Sequence, residues 1–228
     1  MQIYWFTGRS LNDLCSTTQI ALATGLNQRG YPVTFINADS PNSHAAHPWK
    51  HQPMSAKAPR GFQSRTLAKK MRSWLLENEI GSDSVALLDW RIANSLIPIL
   101  QKRRIKWIII DRGPPADKGI LSLLQWPSWK RSWKYVRNNS SAHGCVVSEE
   151  HRNFVHKKTN VSLSSITVLP AGVNLDRFKP NKRFAKLTLL YHGKLDSNRG
   201  VLLLPTLLQR AKDTGIDLCL KMIGDGDA

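Results

Sequence analysis

Two cations frame a glycine-containing stretch near the end of the sequence. In LLYHGKLDSNRG, residues 189–200, Lys194 follows Gly193 and Arg199 precedes Gly200. An apolar run leads into this stretch and a helical pattern follows it. A glycine loop between strand and helix lets backbone N–H groups approach an oxyanion closely, and the helix N-terminus adds a favourable dipole. Two fixed cations at such a pocket suit a diphosphate leaving group, whose charge grows as a bond to it breaks. LKMIGDGD, residues 220–227, is a second apolar run ending in a glycine turn. A different chemistry is suggested by Trp126, Trp129, Trp133 and Val136, which recur at helical spacing with Lys130, Arg131 and Lys134 beside them. Interfacial helices pair aromatic and basic faces in this way; core packing of the tryptophans against a sheet is the alternative. Trp74 and Leu75 beside Lys69, Lys70 and Arg72 form a weaker second example.

The elements that must position these groups alternate between apolar runs and helical stretches, which argues for an α/β chain with a Rossmann-like parallel sheet. Strands are expected at 3–7, 33–37, 85–88, 107–110, 144–147 and 166–169, and helices at about 17–29, 64–78, 92–103 and 119–137, with another opened by Ser148, Glu149 and Glu150. Residues 40–63 are rich in Pro, His, Ser and Lys and read as a long loop, with His44, His47 and His51 solvated and without carboxylate partners. No metal site is expected there, since a site needs convergent ligands. The Pro/Gly/Asn-rich segment 170–180 is the best boundary, dividing residues 1–180 from the opening of a second Rossmann-like domain at 181–228. Pro205 would break a helix begun at Ser197 and is tolerated in one that starts near Leu202.

Composition narrows the function classes. The 228 residues carry 33 Lys and Arg against 16 acids, a net charge of +17. Residues 1–180 hold 25 of the bases and 11 of the acids, so they carry +14 and must hold any anionic partner. Three distant cysteines form neither a disulfide framework nor a metal-ligand pattern and fit a reducing cytosol. MQIYWFTG reads as a first strand rather than a signal peptide, and no apolar run reaches membrane-spanning length. The expected location is cytoplasmic, possible membrane contact being peripheral. Asn139 and Asn160 match glycosylation acceptors by chance in that setting.

VLPAGVNLDRFKP at 168–180, the loop at 189–200 and GDG at 224–226 occur in the order and spacing found in glycosyltransferase family 4, which has the GT-B fold, and the chain resembles that family. Lys194 stands where the family usually has Arg, and Arg199 where it has Lys; both charges survive, a point contact and a fork exchanged. The resemblance implies a retaining transferase that takes a nucleotide-diphosphate sugar as donor, needs no cofactor or metal, and binds the donor diphosphate at Gly193, Lys194 and Arg199. It implies an acceptor side at Gly8, Arg9, Asp111 and Arg112, the acceptor being lipid-linked or anionic. The family often has a histidine after the strand that matches 107–110; here Asp111-Arg112-Gly113 follows instead. Asp111 is the one catalytic candidate, as a polar contact to sugar hydroxyls, unless it caps the turn before Pro114. Family members also carry two glutamates, eight apart and downstream of GDG, that contact the donor. The sequence given ends at Ala228 without them, so the chain as given is expected to be inactive. Trp126, Trp129, Lys130, Arg131, Trp133 and Lys134 are the membrane-contact candidates. The competing readings are a basic nucleic-acid-binding module, which lacks any of the recognised signatures, a non-catalytic sugar- or phosphate-binding remnant, and an epimerase on the same fold.

Overall fold

The computed structural model describes residues 1–13, 16–40, 47–59, 62–115, 120–172, 179 and 186–226. It divides into two compact units, Met1–Val173 and Asn174–Ala228, a boundary seven residues earlier than the sequence suggests and inside the same proline-rich connector.

Unit 1 is a seven-stranded, wholly parallel sheet. Its strands are β1 (Ile3–Phe6), β2 (Val33–Asn37), β3 (Lys50–Pro53), β4 (Val85–Asp89), β5 (Lys106–Ile110), β6 (His143–Val146) and β7 (Ile166–Val168), in the spatial order β3-β2-β1-β4-β5-β6-β7. Neighbouring residues in the central strands point to opposite faces, as strand geometry requires. Phe6, Ile36, Leu88 and Ile109 enter one apolar layer, shared with α2 (Gln63–Glu77), α3 (Trp90–Lys102), α4 (Ile120–Arg137) and α5 (Glu149–Thr159). Trp5, Phe35, Leu87 and Ile110 enter the other, with Ala23 of α1 (Thr17–Gln28). Strands buried on both faces read as continuous apolar runs, which is why β1, β2, β4 and β5 are visible in the sequence.

β3 is the exception. Residues 40–63 are not all loop: Lys50–Pro53 pairs in parallel with Thr34–Asn37. KHQP has no apolar residue, and its proline ends the run. An edge strand pairs on one side only, so it can be short, polar and proline-ended, and it leaves no periodicity to detect. The histidines of this segment are corrected with it. His51 lies on β3, with Nε2 2.9 Å from Asn37 Oδ1 and 3.4 Å from the Asp39 carboxylate, and His47 stacks on Trp49 with ring centroids 4.1 Å apart. His44 lies outside the described residues.

Unit 2 pairs β8 (Leu187–His192) in parallel with β9 (Leu218–Ile223) and adds α6 (Leu204–Asp213). Pro205 sits in the first turn of α6, where its missing N–H costs nothing. Two short 3-10 turns, Ser197–Arg199 and Val201–Leu203, precede the helix. The phosphate-type loop therefore does not lead straight into an α-helix N-terminus, and the dipole expected there is displaced toward Leu204.

Candidate functional site

In unit 1 the candidate residues sit where β1, β2 and β5 end. The turn Gly8-Arg9-Ser10 is held by Asp39, a carboxylate at the end of β2 that is 4 % exposed. Ser10 Oγ donates to Asp39 in a short hydrogen bond, and Leu11 N and Asn37 Nδ2 donate to it at 3.1 and 2.7 Å. The backbone N–H of Arg9 donates to Thr7 Oγ1. A Cβ added at Gly8 would meet only Leu67 Cδ2, 4.0 Å away, so sterics do not demand glycine there. Burial lowers the pKa of His51 and of His47, and Asp39 opposes both shifts. The Asp39–Asn37–His51 group was hidden in the sequence because its members come from β2, the segment after it, and an unrecognised strand.

Asp111 follows β5 and is 1 % exposed. Its Oδ2 accepts the indole N–H of Trp129 at 2.6 Å and of Trp133 at 2.9 Å, while Oδ1 accepts from Gly113 N at 2.9 Å. His151 Nε2, on α5, is 3.6 Å from Oδ2. The carboxylate thus caps the turn before Pro114 and anchors α4, with both oxygens engaged inside the protein. Its hydrogen-bond partners among the described residues are all internal, which favours turn capping over a sugar contact for Asp111, although the residue also borders the recess where β1, β5 and β6 end. Arg112, next along, is half-buried.

The membrane expectation changes with it. Trp129 and Trp133 are fully buried, and Trp126 is half-buried, edge-on to Trp129 with centroids 5.4 Å apart. Trp129 and Trp133 face the sheet, where Asp111 Oδ2 accepts both their N–H groups; amphipathic spacing alone cannot say which way the aromatic face turns. Trp133 lies so close to β6 that a Cβ on Gly144 would fall 2.3 Å from its ring. Leu75 on α2 is likewise in the core, and Trp74 is half-buried. Lys130, Arg131 and Lys134 do face solvent, together with Leu123 and Pro127. An open groove of about 430 Å³ lies away from this constellation, between the end of β3 and α2, lined by Lys69, Lys70, Ser73 and Trp74.

In unit 2 the two glycine turns meet. Gly193 N donates to Ile223 O and Leu195 N to Asp225 O, both at 3.0 Å. A Cβ on Gly224 would fall 1.8 Å from Gly193 O, and one on Gly226 1.9 Å from Leu195 O. The GDG glycines are there because the Gly193–Leu195 backbone passes directly over them. Gly193 itself has φ +154°, a backbone region that disfavours side chains. Tyr191 Oη donates to Lys194 O at 2.7 Å, fixing the loop from below. Lys194 Nζ, half exposed, is 3.4 Å from Asp196 Oδ2, and Arg199 is exposed at the end of the first 3-10 turn. Among the described residues no cluster of three or more His, Cys, Asp or Glu is arranged to hold a metal, and no helix is long and apolar enough to cross a membrane.

A family model, Glycosyltransferase Family 4, matches residues 16–177, more than half of the chain. The chain belongs to glycosyltransferase family 4. The fold agrees. A glycosyltransferase from Rickettsia africae ESF-5 superposes with a TM-score of 0.65 at 15% identity over 98% of this chain and 60% of its own. WaaG, a glycosyltransferase involved in lipopolysaccharide biosynthesis, gives 0.62 at 11% identity over 98% and 70%. UGT89C1 of Arabidopsis thaliana, solved with UDP-L-rhamnose, gives 0.60 at 11% identity over 100% and 70%. At these identities the likeness is one of fold, and the chain spans 60% of the length of the Rickettsia protein. No curated protein matches it. This family 4 chain is therefore of the GT-B type, with the seven-stranded parallel sheet as its first unit.

Proposed function

We propose that the protein takes part in retaining glycosyl transfer from a nucleotide-diphosphate sugar, with the donor diphosphate held at Gly193, Lys194 and Arg199 and the acceptor received on unit 1 near Gly8, Arg9 and Arg112. The observation that carries this is the contact between the two glycine turns. Gly224 and Gly226 allow the Gly193–Leu195 backbone to be held from one side by the GDG turn, which fixes its shape before any ligand arrives. A preset loop with a cation at either end is what a developing diphosphate charge requires, since the donors need not reorganise as the sugar bond breaks. The reaction needs no metal or cofactor on this reading: the two cations supply the positive charge. UDP is the first nucleotide to try, because UGT89C1 was solved with a UDP-sugar.

Calorimetry of the chain with UDP tests this. Each charge-assisted contact to phosphate is worth about 1.5–3 kcal/mol, so Lys194→Ala and Arg199→Ala should each weaken binding about tenfold or more. Unchanged affinity in both variants would remove the assignment.

The acceptor is lipid-linked or otherwise anionic, and the protein works at the cytoplasmic face of a membrane. The specific support is α4, which contains no acidic residue and turns Lys130, Arg131 and Lys134 to solvent beside exposed Leu123. Nucleic acid would be drawn by the same charge, but an exposed apolar side chain, Leu123, on the same helix as the basic stripe suits a headgroup surface better.

A further inference from the structure

Three backbone groups of the segment Gly193–Leu195 are held, two of them by the GDG turn. Gly193 N donates to Ile223 O and Leu195 N to Asp225 O, both at 3.0 Å. The third is the carbonyl of Lys194, which accepts the hydroxyl of Tyr191 at 2.7 Å. Tyr191 lies on β8, opposite Met222 of β9, and is half-buried. A Cβ on Gly193 would fall 3.5 Å from Tyr191 Oη, so the phenol lies against the backbone of the loop. Lys194 C=O and Leu195 N–H belong to one peptide unit, which is planar and rigid. That unit is pinned at both ends, by Tyr191 at its oxygen and by Asp225 O at its nitrogen. The family resemblance assigns roles to Gly193, Lys194 and Arg199, and none to Tyr191.

We propose that Tyr191 is a positioning residue of the diphosphate site: by fixing the Lys194–Leu195 peptide it sets the direction in which Lys194 carries its ammonium to the ligand, a role that rests on the donor-site reading above. A peptide unit held at one end only can rotate about the single bonds that flank it, and the adjoining side chain shifts with it. Lysine is sensitive to such a shift. Its charge is a compact point at the end of a flexible four-carbon stem, and ordering that stem costs rotamer entropy. A rival partner is also at hand, since Asp196 Oδ2 lies 3.4 Å from Lys194 Nζ. Arg199 is set separately, its backbone N–H donating to Asp196 O at 2.8 Å. Tyr191 therefore acts on one of the two cations. Its hydroxyl also covers a carbonyl oxygen that, left bare in an anion-binding loop, would oppose the anion. Phenylalanine would fill the same space against Gly193 and supply no donor.

The test is a double-mutant cycle on the full chain, read by calorimetry with UDP and with inorganic pyrophosphate. Tyr191→Phe should weaken both ligands by about three- to tenfold, the worth of one intramolecular hydrogen bond. In the Lys194→Ala background the same change should cost less than about twofold, because the cation that Tyr191 directs is gone. Amide exchange without ligand is the second measurement. In Tyr191→Phe the Leu195 amide should exchange faster while those of β8 and β9 keep their protection. The proposal is overturned if Tyr191→Phe binds like wild type while Lys194→Ala binds more weakly. It is also overturned if Tyr191→Phe costs the same factor in both backgrounds, or if β8 and β9 lose protection together with Leu195. Either of these results would make Tyr191 a general support of unit 2. Failure of the donor-site reading looks different: wild type then binds neither ligand, or Lys194→Ala and Arg199→Ala both leave affinity unchanged, and the role of Tyr191 falls with it.

Discussion

At the residue scale, Asp111 shows what local chemistry does to a sequence motif. Asp-Arg-Gly after a strand looks like a site, and the turn-capping alternative is equally legible, but only the fold shows that Trp129 and Trp133 both spend their N–H groups on the same oxygen. The tryptophan stripe could be read from spacing alone. Its direction could not, because the acceptor that meets it on the inside comes from another element. Asp111→Ala would strand two buried indole N–H donors and the half-buried Gly113 N–H, and should cost on the order of 3 kcal/mol in urea unfolding. Trp129→Ala should cost about 3–5 kcal/mol through cavity formation, and the folded fraction should keep its full affinity for anionic vesicles. A pH effect follows from His51 and His47, whose pKa values burial holds below the ordinary 6.5 or so. The unfolded chain then takes up protons before the folded one. Stability is complete above about pH 6.5 and falls as the pH drops from there through the folded-state values. Melting temperatures across that window should decline for the wild type and decline less for His51→Gln; equal slopes would mean His51 is not the group responsible.

At the element scale, an apolar run makes a strand visible even at an edge, as at β7, and a polar edge strand such as β3 is not visible. β1, β2, β4 and β5 stand out as apolar runs, whereas β3, polar and ending in Pro53, becomes a strand only by pairing with β2. The start of α6 follows the same logic: Pro205 excludes an α-helix begun at Ser197, and the structure bridges the gap with two 3-10 turns. The glycines at 193, 224 and 226 are legible as a motif, but the reason for two of them is tertiary, a backbone crossing that leaves no room for a Cβ. Gly224→Ala should therefore separate the Gly193–Leu195 backbone from the GDG turn. The expected result is loss of UDP binding, with the amides of β8 and β9 exchanging faster and those of β1, β2 and β4 unchanged, since opening is local where packing is local. Normal UDP affinity in a folded Gly224→Ala would separate the close approach from ligand binding.

At the scale of the whole molecule, charge decides what the protein meets. A net charge of +17 attracts any polyanion, so binding alone says little, and location says more. The basic stripe on α4 predicts co-sedimentation with anionic vesicles at low salt, weakened as salt screens it. Reversing Lys130, Arg131 and Lys134 to Glu should lower partition by about a hundredfold or more; a folded triple variant that sediments like wild type would remove the membrane reading. The central claim is that a nucleoside diphosphate is recognised by a built site in unit 2 rather than by that general field. It is tested most directly by titrating UDP into the labelled protein at physiological salt and mapping which backbone signals move. The account predicts saturable shifts at Gly193, Lys194, Arg199 and Gly224, with α4 silent. Shifts centred on Lys130, Arg131 and Lys134, or none at the glycine turns, would contradict it.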